Sequence, residues 1–219
     1  MRRRAYLWLG LVFCLTLVVE LPARWLVAGL RLPAEGVNGS VWQGQFARLG
    51  PVGPVQWTWR PWQRDLQVRL GFQGQGWQGR LSGWPWRWQV DLQALGVQPS
   101  VVGGYRLAGQ WQGDIKLQGS GQRCLAAEGR ITVADLALSA PWSLALGQGT
   151  LRMDCAQGWR LNAELVRQGQ HRMDLEADLA ARRAQVDFAL QADAALTPVL
   201  RGLQWLGPED TAGQRRLGW

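Results

Sequence analysis

Cysteine and histidine could supply the most chemistry in this chain, and both are rare. The sequence has three cysteines and one histidine. Cys14 lies in an apolar run, whereas Cys124 and Cys155 lie in the polar body of the chain. If that body is exported, a disulfide between Cys124 and Cys155 is the simplest expectation, and closing a loop of about 30 residues would stabilise the fold by about 3–4 kcal/mol. Two buried free thiols are the alternative. His171 is remote and no Cys-x-x-Cys pair exists, so no metal site is predicted.

Carboxylates and glycines do not form a catalytic pattern either. The acidic residues of 174–178 alternate along one segment, which is typical of a solvated strand face. The glycines of 74–79 have the spacing of a dinucleotide-binding loop, but the sequence after them, RLSGWPW, cannot form the helix that such a loop requires. Nucleophile-elbow, phosphate-loop and zinc-protease motifs are absent. We therefore expect no enzymatic activity and no cofactor.

Strands must position most of the side chains, because apolar and polar residues alternate with period two over much of the chain. The segments HRMDLEADLA (171–180) and AQVDFALQADA (184–194) show this alternation. In GRITVADLAL the alternation shifts phase at Ala134–Asp135. Glycine-rich turn signals separate the segments. The pattern predicts a mainly β protein with roughly a dozen short strands in one or two antiparallel sheets, connected largely as a meander.

The C-terminal region departs from this pattern. The segment TPVLRGLQWLG predicts a short helix, with Thr197 as its N-cap, Pro198 at its first position and Gly207–Pro208 as its stop. The residues after it are expected to form a loop or a final edge strand.

The N-terminus predicts a membrane anchor. Arg2–Arg4 precede the uncharged, largely apolar residues 5–19, and no small-residue cleavage site follows. We therefore expect an uncleaved signal anchor at 5–21 rather than a cleaved signal peptide. The positive-inside rule then places residues 1–4 in the cytoplasm and the bulk of the chain outside it. Residues 22–32 are expected to form a short amphipathic helix or linker, and residues 33–219 a periplasmic β-rich domain.

The net charge of +8 does not indicate nucleic-acid binding. Half of the excess lies in residues 1–31, and elsewhere acidic residues are interleaved with the arginines. No nucleic-acid partner is expected.

Tryptophan is unusually frequent, with 15 residues. Three copies of Trp-Gln-Gly, at 42–44, 77–79 and 111–113, are a loose repeat of β-meander units, a coincidence or a binding motif. Alternation places the tryptophans between 57 and 88 on strand faces, where three roles are open: cross-strand stacking in a core, an apolar groove, or a ring of aromatics at a membrane surface. These residues form two sets that are each expected to share a face: Trp57 with Trp59, and Trp84 with Trp86 and Trp88.

A family resemblance follows from the order of these features. Pro22-Ala23 with Leu26 resembles the opening P-A-x-x-(L/V) of type II secretion system protein N, the general secretion pathway N component. The segment Gly39–Ala47, GSVWQGQFA, resembles that family's G-(T/S)-(L/V)-W-x-G-x-A element, with one extra residue, Phe46, before Ala47. Gly39, Trp42 and Gly44 are the motif positions that match. The cysteine pair and the C-terminal helix also resemble family features.

The resemblance implies a single-span inner-membrane protein whose bulk is periplasmic. It would be an accessory component of the machinery that exports folded proteins, with other type II secretion subunits and membrane lipid as partners. The family is also similar to the AsmA-like superfamily, which implies a curved antiparallel sheet with an apolar groove, or else an open sandwich. A lipid-binding or lipid-shuttling module is the alternative function, and a polysaccharide binder is a third.

Overall fold

The computed structural model describes residues 20–50, 52–72, 74–97, 106–140 and 143–219, together with Tyr6, Trp8, Gly10, Val12, Phe13, Thr16 and Leu17. This part of the chain includes the α-helices α1 (Ala23–Leu30) and α2 (Thr197–Gly202) and a 3₁₀ turn (Pro61–Gln63), and the described residues from 6 to 17 are also helical. The strands are β1 (Ala34–Glu35), β2 (Asn38–Gly39), β3 (Gln43–Phe46), β4 (Arg48–Leu49), β5 (Val52–Arg60), β6 (Asp65–Phe72), β7 (Gln75–Trp84), β8 (Arg87–Val97), β9 (Arg106–Ser120), β10 (Arg123–Ala140), β11 (Leu144–Asp154), β12 (Arg160–Arg167), β13 (His171–Asp178), β14 (Arg183–Leu190) and β15 (Ala212–Gly218).

All of these strands belong to one open antiparallel sheet. From β5 to β15 each strand pairs with its neighbour in sequence, so the sheet is a meander. At the N-terminal side, β4 lies between β1 and β5, and β3 pairs with both β2 and β5. The expected mainly β fold with an open sheet and a short C-terminal helix is therefore confirmed. The final segment is the edge strand β15.

The longest strands hold the centre of the sheet. β9 has 15 residues and β10 has 18, so they are not short as the turn signals predicted. The phase shift expected at Ala134–Asp135 is confirmed. The β9–β10 ladder slips between Ala134 and Ala137, and Asp135 has a φ of 51°. A bulge of this kind adds one residue to a strand, which lets Val133 and Leu136 both be buried.

The N-terminal segment joins the sheet through Pro22. This residue forms a bridge with Ser40, and the Val41 N–H donates to the Leu21 carbonyl at 2.9 Å. Helix α1 begins directly afterwards and ends at Leu30, where Arg31 adopts a left-handed conformation with a φ of 51°. A helix is thus present within the predicted segment 22–32.

Helix α2 differs from its prediction in two respects. Thr197 does not cap the helix, because its hydroxyl donates to the Gln191 carbonyl at 3.2 Å, and Leu196 occupies the cap position. The helix ends at Gly202 rather than at Gly207–Pro208. The chain leaves it early because the N–H groups of Trp205 and Leu206 both turn back to the Leu200 carbonyl.

The predicted membrane span at 5–21 and the tail at 1–4 lie mainly or wholly outside the described residues. In the part of the chain that is described, none of the helices combines the length and the apolar character needed to cross a bilayer.

Candidate functional site

Strand pairing collects the apolar side chains on one side of the sheet, called the apolar face from here on. Residues directly opposite each other in an antiparallel ladder share a face. One such row crosses six strands from β9 to β14 and consists of Gly113, Ile131, Leu151, Ala163, Leu175 and Val186. A neighbouring row on the other side of the sheet is polar and consists of Gln112, Thr132, Thr150, Glu164, Asp174 and Asp187. The period-two alternation therefore produces an amphipathic sheet.

The C-terminal part of the apolar face has a second layer. Helix α2 and the residues around it contribute Ala194, Leu196, Leu200 and Leu206, which pack with Val186, Phe188 and Leu190 of β14 and with Leu144 of β11. Trp205 lies against this cluster, with its ring centroid 6.4 Å from that of Phe188. This cluster, the covered core, is an ordinary two-layer core.

The central part of the apolar face is built differently. Its buried cluster comprises Ile115, Leu117, Cys124, Ile131 and Cys155, and it comes only from strands and turns of the sheet. Ile131 is nevertheless fully buried. Tryptophan side chains provide the cover: the rings of Trp77 and Trp111, two strands apart, meet edge to face with their centroids 5.3 Å apart. We call this cluster the tryptophan-lined core.

Glycines opposite the tryptophans allow these rings to lie against the sheet. Trp57 pairs with Gly44, and Trp88 pairs with Gly119. A Cβ atom built on either glycine would collide with the six-membered ring of the opposite indole. Each glycine therefore provides the space that its cross-strand partner fills, an arrangement known from aromatic–glycine pairs in other sheets.

A disulfide closes one side of the tryptophan-lined core. Cys124 and Cys155 are joined, with their Cα atoms 5.3 Å apart. The bond lies in the same cluster as the parallel stacked pair Trp88 and Trp159, whose centroids are 5.6 Å apart. The pairing expected from the sequence is present, and the alternative of two free thiols is not.

A cavity of about 330 Å³ lies between the two cores. Its walls are almost entirely apolar and include Trp111, Ile131, Leu151, Met173 and Trp205. The volume is in the range of small-molecule pockets. Because Trp111 belongs to the sheet and Trp205 follows α2, the cavity lies where the second layer ends.

The family-motif residues form the hairpin that receives the N-terminal segment. Gly39 pairs with Gly44 and has a φ of 93°, a conformation that favours glycine. The Ser40 hydroxyl accepts hydrogen bonds from the N–H groups of Trp42 and Gln43. The ring of Trp42 lies 5.1 Å from that of Trp59. A functional role for Gly39, Trp42 and Gly44 stays a prediction.

The predicted tryptophan sets are only partly brought together. Trp57 and Trp59 share the apolar face, and the Trp57 indole N–H donates to the Val41 carbonyl at 3.0 Å. Trp84, Trp86 and Trp88 do not share a strand face, because the chain turns at Pro85–Trp86 and Trp84 pairs with Arg87. That prediction is wrong because the alternation was continued through a tight turn. Trp84 and Trp86 stack instead on each other, with their centroids 4.7 Å apart.

The three Trp-Gln-Gly copies occupy different places. The first leads into β3, the second lies inside β7 and the third inside β9. Gly113 has a φ of 103°, whereas Gly44 lies under Trp57 and a Cβ on Gly79 would meet nothing. The tripeptide therefore does not mark one repeated backbone conformation.

Titratable groups are dispersed rather than gathered into a reactive centre. His171 is buried beside the covered core, where its Nε2 lies 3.0 Å from the Leu146 carbonyl and its Nδ1 meets no hydrogen-bond partner among the described residues. Burial lowers the pKa of His171, the nearby Arg167 lowers it further, and the contact with Leu146 opposes the shift. Among the described residues no group of His, Cys, Asp and Glu side chains is placed to hold a metal ion.

The fold and this surface define a mainly β protein with an open, amphipathic sheet. The family model for type II secretion system (T2SS), protein N, matches residues 30–218, and the chain therefore belongs to this family. Membership supports an accessory, non-catalytic part in type II secretion, contact with other components of that system, and association with the cell envelope. No curated protein and no solved structure matches the chain.

Proposed function

We propose that this protein is an accessory inner-membrane component of the type II secretion machinery, which supports the export of folded proteins from the periplasm through protein–protein contacts. The observation that carries the proposal is the family match over residues 30–218, which spans the whole sheet. In this proposal residues 5–21 form the membrane anchor, with residues 1–4 in the cytoplasm. Residues 22–32 link the anchor to the periplasmic sheet of residues 33–219.

The free edge of β15 is the contact surface best suited to a partner strand. Among the described strands β15 pairs only with β14 and is seven residues long, whereas the other end of the sheet has the two-residue strand β1. An unpaired edge strand can accept an extended segment from another protein. The Thr211 carbonyl and the Trp219 N–H both bond toward β14, so by alternation the N–H of Arg216 points away from the sheet.

Deletion of the gene followed by measurement of exoprotein release tests this function, and normal release in the deletion strain would contradict it. Complementation of the deletion strain with β15 variants then tests whether the free edge of β15 binds a partner strand. Arg216→Pro removes an outward N–H without removing a bond to β14 and is expected to reduce recovery of other secretion subunits in a pull-down from membranes. Arg216→Ala is the matched control, because it removes the side chain and keeps the N–H. Equal recovery with both variants would count against strand addition.

The apolar face favours a second candidate function, the binding of a lipid. Its specific support is the apolar cavity of about 330 Å³ between the two cores. Ala163 lines this cavity, whereas its neighbour Asn162 belongs to the opposite face. If the cavity holds an acyl chain, phospholipid should copurify with the protein, be lost in Ala163→Phe and be retained in Asn162→Phe. Mass spectrometry of the extracted lipid decides between these outcomes.

A further inference from the structure

Five turns of the meander lie at one end of the sheet and are joined to one another. They are residues 60–65, 84–87, 120–123, 154–160 and 178–183, here called the basic end. Four hydrogen bonds connect these turns, or the residue directly beside one, in succession: Gly83 N–H to the Arg64 carbonyl, Gly121 N–H to the Pro85 carbonyl, the Trp159 indole N–H to the Gln122 carbonyl, and Leu179 N–H to the Trp159 carbonyl. A fifth, from the Trp219 N–H to the Arg182 carbonyl, joins the residue after β15 to the last turn. The basic end is therefore one continuous surface.

The charge of this surface is strongly positive. Its turns contain seven arginines and three aspartates, and the arginines are Arg60, Arg64, Arg87, Arg123, Arg160, Arg182 and Arg183. All three aspartates are engaged within the protein. Asp65 is buried against Arg80 at 2.6 Å, whereas Asp154 and Asp178 accept hydrogen bonds from backbone N–H groups of their own turns. From β6 onward, the described turns and strand termini at the opposite end carry a balanced set of charges: Arg106, Arg167, Arg201, Asp193, Glu209 and Asp210.

Exposed tryptophans are concentrated at the same end. Trp62 is 91% exposed and Trp86 is 64% exposed, and both lie at turn tips. The Arg64 guanidinium lies 3.8 Å from the ring centre of Trp84, which stacks in turn on Trp86. Among the described residues, the exposed tryptophans outside the N-terminal segment and α1 are Trp59, Trp62, Trp84, Trp86 and Trp219, all at or beside the basic end. Tryptophan and arginine together are typical of a protein surface that meets lipid headgroups.

The N-terminal apolar run reaches the sheet at this end. The Leu21 carbonyl accepts a hydrogen bond from the Val41 N–H. The carbonyl of Trp42, the residue after Val41, accepts one from the Trp59 N–H. Trp59 and Arg60 are the last residues of β5 and lead into the first turn of the basic end. Leu21, the last residue of the predicted anchor, therefore lies at the same end of the sheet as these arginines.

We propose that the basic end rests on the surface of an anionic phospholipid bilayer, with its arginines at the lipid phosphates and its exposed tryptophans at the headgroup level. The position of the bilayer rests on the membrane anchor of the proposed function. The charge and the exposed tryptophans of the basic end determine the orientation of the sheet. The strands run away from the bilayer surface, and the opposite end of the sheet points into the periplasm. Added salt should weaken the contact, because exposed charges are screened.

Hydrogen–deuterium exchange of the full chain in lipid nanodiscs tests this orientation. Discs of phosphatidylcholine alone are compared with discs that also contain phosphatidylglycerol. One arginine near an anionic surface contributes about fivefold in affinity. Amides of turns 60–65 and 84–87 are therefore expected to exchange at least about fivefold more slowly in the anionic discs. The turn at 167–171, at the opposite end, is the internal control and should exchange equally in both.

Charge reversal identifies the cause. Arg87→Glu/Arg123→Glu should abolish the difference between the two kinds of disc, whereas Arg106→Glu/Arg201→Glu at the opposite end should keep it. Unchanged exchange in β13 shows that each variant is folded. Equal protection of the turns in neutral and anionic discs, or persistence of the difference in Arg87→Glu/Arg123→Glu, would overturn the proposal. Exoprotein release in the deletion strain is a separate readout, so a negative result in discs leaves the secretion function standing.

Discussion

The covered core and the tryptophan-lined core use the same face of the same sheet, yet they exclude water in different ways. Under α2 the strands present Val186, Phe188 and Leu190, and a second layer of leucines closes over them. In the middle of the sheet Ile115 and Ile131 are buried just as deeply with tryptophan rings as their cover. Burial of a sheet face therefore does not require a second layer where large side chains can lie across it.

The two cores therefore differ in how easily they can be exposed to a ligand. The covered core can be exposed only if α2 moves away, whereas a face covered only by side chains can open without unfolding a secondary-structure element. The cavity lies at the boundary between the two arrangements. Four measurements test how far the two cores differ in packing and stability.

Removing the central side chain of the covered core should cost most. Phe188→Ala deletes a buried ring that packs against Trp205 and over Gly213, and we expect a loss of about 3–5 kcal/mol in the free energy of unfolding. Urea unfolding of the full chain in detergent measures it. Phe72→Ala, at an exposed position of β6, is the control, with an expected loss below about 1 kcal/mol. Equal losses would show that burial beneath the second layer adds nothing to the contribution of Phe188.

Opening the disulfide should weaken the tryptophan-lined core nearly as much. The Cys124–Cys155 bond closes a loop with a sequence separation of 31 residues, and its loss should lower the free energy of unfolding by about 3–4 kcal/mol. Cys124→Ser/Cys155→Ser measured in the same urea assay gives the value. Reductant should destabilise the wild type by a similar amount and leave the double variant unchanged. A double variant that still responds to reductant would contradict this assignment.

The glycines of two Trp-Gln-Gly copies should respond oppositely to the same substitution. Gly44→Ala places a methyl group against Trp57 and should lower the free energy of unfolding by about 1–3 kcal/mol. Gly79→Ala meets no atom and should be neutral or stabilising by about 0.4–1 kcal/mol. Thermal unfolding of both variants makes the test. Equal destabilisation would mean that tryptophan packing is not what requires glycine at position 44.

The smallest effect is a pH dependence at the edge of the covered core. Because burial lowers the pKa of His171 in the folded protein, the unfolded chain binds the proton more tightly. The free energy of unfolding should therefore fall as the pH drops through about 6.5 toward the lowered pKa, by at most about 1.4 kcal/mol per pH unit.

His171→Gln should flatten this part of the stability curve. The sequence has a single histidine, so other side chains contribute little in this window. Asp187 is an internal reference at lower pH. Hydrogen bonds from Gln185 and Gln214 lower its pKa, so its contribution is present above about pH 4 and is lost as the pH falls further. A curve that keeps its slope between pH 5 and 7 in His171→Gln would exclude the buried histidine as the cause.

The strand pattern was predictable because period-two alternation is a local signal. The polar and apolar rows of β13 and β14, and even the slip at Asp135, could be inferred from the order of residue types. The sequence could not decide between one sheet and two packed sheets. That choice depends on which layer covers the apolar face, and therefore on contacts between residues that are distant in sequence. The Trp84–Trp88 error has a local cause: two residues, Pro85 and Trp86, are enough to reverse the chain.

The candidate site was predictable only in its parts. The two cysteines outside the apolar run, together with the expected export of that part of the chain, predicted the Cys124–Cys155 bond. The abundance of tryptophan predicted an aromatic surface. The aromatic–glycine pairs and the cavity depend on register, which fixes which residues face one another across strands. The basic end escaped sequence analysis for the same reason, since its arginines are spread from position 60 to position 183 and gather only when alternate hairpins fold.

The meander order of the strands has a consequence for assembly. From β5 onward every strand pairs with the strand that precedes it in sequence. In a chain that folds from its N-terminus, each new strand can therefore pair as soon as it is available. Short-range pairing of this kind keeps loop-closure costs low. The leading border of the growing structure stays available for the next addition until β15 arrives. Among the described strands β15 is the last to join this border, and its outer side pairs with none of them.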